Sequence, residues 1–255
     1  MLISVVTVCL DLIATIGDTL ASVAAQQGAE VEHVVIDGGS TDGTLALLER
    51  HAGQIATLVS EPDAGLFDAM NKGIRHATGE VIGFLNSDDV YADGQVLQAV
   101  AALFESPDVD ACYGDLLYVA ADNPAQVVRY WTSCDYRPGL LRNGWMPAHP
   151  TFFCRRKVLE QMGGFNPAYG LHADFELMVR LFHVARIRTR YVPRVWVRMR
   201  TGGVSNRSLR NILNGNRESL RALRDHGIDV SLARFVLGKL ALRLPQFLAR
   251  PAPPP

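Results

Sequence analysis

The feature that most constrains this chain is an alternation in its first ninety residues. A β-branched apolar run gives way to a helical stretch, then another apolar run follows, and each run ends in a polar residue. Ile3, Val5, Val6 and Val8 make the first run; a helix is expected over 16–27 and a second strand over 31–37. The cycle continues with a helix over 44–51, a strand over 55–60, a helix over 65–77 and a strand over 80–85. Strands joined through helices pair in parallel, so the pattern predicts an α/β fold with a mostly parallel, doubly wound sheet flanked by helices. Ligands of such sheets bind outside the carboxyl ends of the strands. Thr7, Asp37, Asp63, Asn86 and Asp88 fall at those ends and are expected to converge.

With 255 residues, 48% of them apolar, the chain can bury a substantial core as one large domain or two packed halves. A formal net charge of −1 gives no reason to expect nucleic acid as a partner. Cys9, Cys112, Cys134 and Cys154 are irregularly spaced without a C-x-x-C pair, and read as reduced structural thiols. The apolar run 2–10 lacks a basic flank, a cleavage site and the length to span a bilayer, so it is expected to be the first strand of a cytoplasmic protein.

Three segments carry chemistry. In Val35-Ile-Asp-Gly-Gly-Ser-Thr-Asp-Gly-Thr44, Asp37 is placed to accept hydrogen bonds from a nucleobase, while Thr41 or Asp42 caps the next helix and the glycines supply positive φ. A dinucleotide-binding dehydrogenase is disfavoured, because Thr7-Val-Cys-Leu-Asp11 stands where G-x-G-x-x-G belongs. The second segment, 60–74, sets Asp63, Asp68, Asn71 and Lys72 into a loop and the first turns of a helix; by itself it is also readable as an ordinary capped helix. The third, Asn86-Ser-Asp-Asp89, follows an apolar strand. Magnesium or manganese favours such hard oxygens, one or two carboxylates with phosphate and water completing the shell, although paired aspartates also make plain turns.

Residues 35–44, Asp68-Ala-Met-Asn-Lys-Gly-Ile74, Ala77-Thr-Gly-Glu80 and Phe84-Leu-Asn-Ser-Asp-Asp89 together resemble, in order and spacing, the signatures of family 2 glycosyltransferases, closest to small bacterial polysaccharide and glycolipid enzymes of the colanic-acid type. The resemblance covers residues 1–205. It implies a GT-A fold and a metal-dependent, inverting transfer of sugar from a nucleotide-sugar donor to a saccharide or lipid-linked acceptor, with Mn2+ or Mg2+ as cofactor. Residues 1–110 would be the nucleotide-sugar half and 111–205 the acceptor half, with 206–255 a helical extension ending in a frayed Pro251–Pro255 tail. Asp37 matches the base-binding aspartate, Asn86 the first and Asp88 the last position of the D-x-D motif, with Asp89 beside it as a second metal ligand. Thr7, Asp68, Asn71 and Ser87 complete the nucleotide set. Asn86 replaces the usual aspartate, Met70 a frequent arginine, and Asp11 stands near a frequent asparagine.

A sugar hydroxyl needs a carboxylate to take its proton as the bond forms. Asp174, in Leu171-His-Ala-Asp-Phe-Glu176 behind the Gly163-Gly164-Phe165 turn, matches the family's second-half acidic position, with Glu176 as a weaker substitute; its structural alternative is a helix N-cap. Leu171, Phe175, Met178, Val179 and Phe182 are expected to share one helical face. His149 and His172 are acceptor-side candidates that also suit packed loops. Trp131, Trp145 and Tyr169 are able to stack on an acceptor, or to fill the core. The arginines over 186–200 read as an exposed strand face. In the tail, Leu232, Val236, Leu240 and Leu244 share a helical face with Lys239 and Arg243 within or beside it. That pattern suits either peripheral contact with the inner face of the membrane or packing against the domain. A nucleotidyltransferase and a catalytically silent nucleotide-binding scaffold are the alternatives; the first would need a glycine- and basic-rich loop after the first strand.

Overall fold

The computed structural model describes residues 1–202 and 209–248, so the expected boundary at 205/206 and the Pro251–Pro255 tail lie outside the described residues. The alternation becomes four parallel strands. β1 (Leu2–Cys9) pairs with β2 (Glu30–Asp37) on one side and β4 (Val81–Phe84) on the other, and β3 (Thr57–Ser60) extends β2. The connecting helices are α1 (Ile16–Ala24), α2 (Thr44–Arg50) and α3 (Leu66–His76). Helix α3 buries Phe67, Met70 and Ile74 against the sheet, and a Cβ on Gly73 would lie 2.2 Å from Val6 Cγ1. Only glycine there lets the helix lie this close to β1.

The remaining elements are β5 (Val90–Tyr91), α4 (Val96–Phe104), β6 (Ala111–Val119), β7 (Val127–Trp131), β8 (Phe153–Arg155), α5 (Arg156–Gln161), α6 (Ala173–Val179) and β9 (Thr189–Arg200). The strand order is β3-β2-β1-β4-β8-β6-β9-β5, with β7 beside β6. Every pair made by β5, β7 and β8 is antiparallel, whereas β9 runs parallel to β6. The first half of the sheet is wholly parallel and the second is mixed, with β6–β9 its parallel pair; the hairpin-like link from β6 to β7 is too short for a parallel crossover.

Alternating residues of β1 feed opposite faces. Val6 and Val8 join α3 and α6 in one core, and Ile3 and Val5 join α4 and Trp196 in another. At the amino-terminal rim Glu32 is buried, and its carboxylate accepts hydrogen bonds from the Ser4 hydroxyl, the Thr78 amide (2.8 Å) and hydroxyl (2.7 Å), and the Gly79 amide. Burial pushes Glu32 up, but these donors outweigh it and hold the carboxyl below its ordinary range.

Helix α6 runs on into a π-helical turn over Arg180–Val184, and Phe175, Met178, Val179 and Phe182 are buried as expected. Leu171 does not join them. It lies in a 3-10 turn before the helix, 40% exposed, because Gly170 breaks the periodicity there with φ 52.

The extension is helical, with α7 (Leu209–Asp225) and α8 (Leu232–Arg243), the latter capped by Ser231 Oγ accepting the Arg234 amide. Phe235 is fully buried beneath α8 while Leu237, Leu240 and Leu244 point outward, Leu237 at 66% exposed. Lys239 and Arg243 are half-buried on the inward side. The apolar row therefore faces away from the domain and the cations face into it. Among the described residues no helix is long and apolar enough to cross a membrane.

Candidate active site

The carboxyl ends of β1, β2 and β3 bring three loops together. Asp11, held at φ 53, accepts the Thr41 amide at 2.8 Å, and its own amide donates to Ser40 Oγ at 2.9 Å. Asp42 Oδ1 accepts the Thr44 amide at 2.9 Å in the turn before α2, but Gly43, at φ 99, holds the N-cap position without a side-chain cap, so neither Thr41 nor Asp42 caps the helix as expected. Asp37 closes β2, fully buried, and its carboxylate accepts the Gly39 and Ser40 amides, the Ser40 hydroxyl and the Ser60 hydroxyl at 2.6 Å. Burial raises Asp37, and these donors more than reverse it, leaving an anion with its lone-pair directions occupied. Asp37 organises the loop. A nucleobase reaches it only after the Ser40 or Ser60 hydroxyl rotates away.

The loop after β4 differs in kind. Asn86 Nδ2 donates to Asp89 Oδ2 at 3.0 Å, while Asp89 Oδ1 is buried with no hydrogen-bond partner. Burial, and then the adjacent Asp88, push Asp89 well above the carboxylate range; burial also raises the half-buried Asp88. Arg200, at the end of β9, opposes both shifts, donates to the Asp88 carbonyl at 2.8 Å and pairs with Asp18. Burial raises both adjacent carboxyls, and a bound cation would favour their ionised forms. An orphaned oxygen on Asp89 and an accessible Asp88 fit a divalent ion whose other ligands are phosphate oxygens and water. Among the described residues no group of three His, Cys, Asp or Glu side chains converges as a metal cage. Ser87 is buried beneath this loop.

Asp174 lies in the first turn of α6. It does not cap the helix; His172 holds that position, and Asp174 Oδ1 accepts only the adjacent Phe175 amide, at 2.7 Å. The side chain is partly accessible yet enclosed by protein, and burial pushes its pKa up to about 6. Lys239 of α8 opposes that shift without forming an ion pair within 4.0 Å. The Tyr118 phenol on β6 feels both Asp89 and Asp174, as well as Arg129 and Arg243. The carboxylates from the two halves of the chain therefore face one region.

Other candidates lie outside that region or are occupied within the fold. Thr7 is fully buried, with its hydroxyl 3.0 Å from His33 Nε2. Asn71 is consumed on both sides, donating to the Phe165 carbonyl and accepting the Phe165 amide, each at 2.8 Å. Asp68 receives the Ala64 amide at the start of α3. His149 stacks on Phe84 at 5.3 Å and meets Phe165 edge-on; burial pushes its pKa down to about 4, so it is a neutral core ring. Trp145 packs among Tyr113, Tyr136 and Phe182, and Tyr169 donates to Asp225 at 2.7 Å. Glu176 is locked by Arg180 at 2.7 Å and His226 at 2.8 Å, which removes it as a substitute base. His172, 3.2 Å from Ser219 Oγ, stays near the cleft but neutral, pushed down to about 4 by burial and then by Lys239 and Arg243. Trp131 stacks on Tyr118 beside Asp174's cleft. Sequence reasoning passed over Tyr118 and Arg129 altogether; Lys239 and Arg243, four residues apart on one face of a mostly apolar helix, were the available signal.

Residues 4–163 match Glycosyl transferase family 2, and the chain belongs to that family. It is 35% identical over 183 residues to an uncharacterized glycosyltransferase, Rv1514c, of Mycobacterium tuberculosis, covering 70% of this chain and 68% of the relative. It is 31% identical over 208 residues to a PGL/p-HBAD biosynthesis glycosyltransferase of the same species, covering 80% and 78%. Among solved structures it resembles Staphylococcus aureus TarS 1-349 in complex with UDP-GlcNAc, with a TM-score of 0.65, 17% identity and 94% and 73% coverage. It also resembles the mannosyltransferase PcManGT of Pyrobaculum calidifontis in complex with GDP-Man and Mn2+, with a TM-score of 0.63, 21% identity and 96% and 72% coverage. These likenesses confirm the GT-A fold, and the chain is a glycosyltransferase.

The Asn71 clamp ties α3 of the first half to the Gly164-Phe165 turn of the second. Asn71→Ala leaves the Phe165 amide and carbonyl without their partners and is expected to destabilise the fold by about 1–3 kcal/mol, read from urea unfolding. An unchanged midpoint would remove the clamp from the account.

Proposed function

We propose that this glycosyltransferase moves a sugar from a nucleoside-diphosphate sugar to an acceptor hydroxyl with inversion, in the assembly of a polysaccharide or glycolipid. The observation that supports the reading is that the Tyr118 phenol feels the charges of both Asp89 and Asp174, so that leaving-group and acceptor chemistry would lie side by side. The UDP-GlcNAc and GDP-Man bound by the structural neighbours support a nucleotide-sugar donor, and the PGL/p-HBAD relative supports a glycolipid setting.

Asp88 and Asp89 would hold Mn2+ or Mg2+, with Asn86 orienting Asp89 and Ser87 packed beneath the loop. When bound, the ion neutralises charge gathering on the departing diphosphate. Asp37 and the clasped loops 10–13 and 38–43 frame the nucleoside. Asp174 accepts the acceptor's proton as its oxygen attacks the anomeric carbon. With a pKa near 6 it is ionised at neutral pH, yet more basic than an ordinary aspartate. The outward leucines of α8 would suit contact with the inner face of a membrane, where a lipid-linked acceptor would lie.

A thermal-shift comparison of UDP and GDP, with and without manganese, identifies the base: the cognate nucleotide raises the Tm, and more so with metal. Asp88→Asn is expected to retain the Tm of the free protein and lose the manganese-dependent increment; an increment equal to wild type removes Asp88 from the metal site.

Asp174→Asn is expected to reduce transfer by about 10²–10⁴-fold, and the wild-type kcat/KM to rise with pH through about 6 and then level. Because the folded pKa lies above the unfolded one, ionising Asp174 costs stability. The cost is absent below about pH 4, grows between pH 4 and 6 and is complete above 6. The variant should therefore melt higher than wild type at pH 8 and match it near pH 4. Substantial residual transfer, or a lower Tm at pH 8, would contradict the assignment.

Leu240→Glu with Leu244→Glu is expected to abolish co-sedimentation with anionic phospholipid vesicles while preserving the Tm. Equal sedimentation of variant and wild type would take α8 off the membrane.

A further inference from the structure

Three cations lie near Asp174 or Tyr118, Lys239 acting on Asp174 and Arg129 and Arg243 on the Tyr118 phenol that Asp174 also reaches, and none has a carboxylate partner within ion-pair distance among the described residues. Lys239 Nζ donates to the neutral Asn216 amide oxygen at 2.9 Å and lies 5.5 Å from the Phe235 ring. Arg243 makes no hydrogen bond among the described residues. Arg129 donates to Gln246 Oε1, at 2.8 Å from Nε, and sits over the rings of Tyr118, Trp131 and Phe247 at 5.0, 5.2 and 5.5 Å. Elsewhere the arginines of β9 and its approach find aspartates: Arg188 pairs with Asp108 and Asp110, Arg194 with Asp93, and Arg200 with Asp18.

The arrangement is built. A Cβ on Gly238 would lie 2.7 Å from Asn143 Cα, so α8 sits directly on the backbone of the 3-10 turn Leu140–Asn143. A Cβ on Gly144 would lie 3.2 Å from Lys239 Cβ, fixing the root of that side chain. Lys239 is thus held in place by the packing of α8 on that turn. Burial and then Arg243 push Lys239 down to about 8, with Asp174 opposing, and burial and Arg243 likewise lower Arg129. Half-buried like charges with no carboxylate in ion-pair range among the described residues favour an added anion.

We propose that Lys239, Arg243 and Arg129 form a subsite for a phosphoryl group carried by the acceptor. Guanidinium forks and an ammonium beside a dry wall suit phosphate oxygens. The subsite serves the acceptor rather than the donor because Arg200 is the cation of the Asp88–Asp89 loop, whereas Lys239 is the cation at Asp174. This assignment rests on Asp174 being the base that the acceptor hydroxyl approaches. An acceptor whose phosphate is esterified to a lipid would carry its chain toward Phe247 and the outward leucines of α8; a phosphorylated saccharide would use the cations alone.

Calorimetric titration of octyl phosphate into the full chain tests the proposal, with inorganic phosphate and octyl glucoside titrated alongside, each with and without saturating UDP or GDP and magnesium. Octyl phosphate is expected to bind equally well with and without nucleotide, at least tenfold more weakly to Lys239→Gln/Arg243→Gln, and as to wild type in Arg234→Gln, an exposed arginine of the same helix. The charge-conserving pair Lys239→Arg/Arg243→Lys should recover binding to within a few fold, so that lost charge is separable from a lost fold. Octyl phosphate binding much more tightly than inorganic phosphate assigns the subsite to a lipid-linked phosphate; equal binding assigns it to a phosphorylated saccharide. Displacement by nucleotide, octyl glucoside binding as tightly as octyl phosphate, or undiminished binding to the Gln pair would each overturn it. Nucleotide binding without octyl phosphate binding sinks this inference alone, while octyl phosphate binding without nucleotide binding sinks the donor reading alone.

Discussion

Parallel pairing of β1 with β2 and β4, and of β2 with β3, is the constraint from which the site descends. Parallel neighbours end at the same edge, so the loops that follow them must share one rim whatever their sequences. The register does the rest: Cys9 lies opposite Asp37, and Asp37 opposite Ser60, which is why three loops distant in sequence exchange hydrogen bonds around one carboxylate. The second half reaches the same rim by another route, through antiparallel strands and the Asn71 clamp that fixes the turn before α6.

Charges inside the molecule divide into two kinds. Glu32, Asp37, Glu176 and Asp115 are buried and compensated, the last by Tyr130, Tyr191 and the Ser133 amide. Asp89, Asp174, Lys239 and Arg243 are enclosed and left short of partners. Satisfied networks hold a fold in one arrangement, whereas unsatisfied groups store a preference for something absent from the chain. Three of the second kind act on Tyr118 and the fourth, Lys239, acts on Asp174, and this clustering sets them apart from the structural polar groups more sharply than residue type does.

The first four strands and three helices were legible in the sequence to within a few residues, because helix-linked β-branched runs leave little choice of pairing. The carboxylates at 37, 88 and 174 were legible through their motifs. Less so were residues whose type suits two jobs. Thr7, Asn71, His149, Trp145 and Glu176 sit in motif segments, but their side chains are taken up by His33, Phe165, an aromatic core and Arg180. Partners of that sort come from elements 26 to 94 residues away in the hydrogen-bonded cases of Thr7 and Asn71, beyond any local pattern. Tyr118 and Arg129 were invisible for the converse reason: ordinary strand residues become part of a cleft only when α8 closes over them.

The Glu32 cluster lies at the opposite end of the sheet from the cleft. By tying β1, β2 and the segment entering β4 through one shared anion, it turns that end into the anchored pole of the molecule. The loops at the other pole therefore hang from strands whose alignment is set at a distance from them, much as fingers extend from a palm.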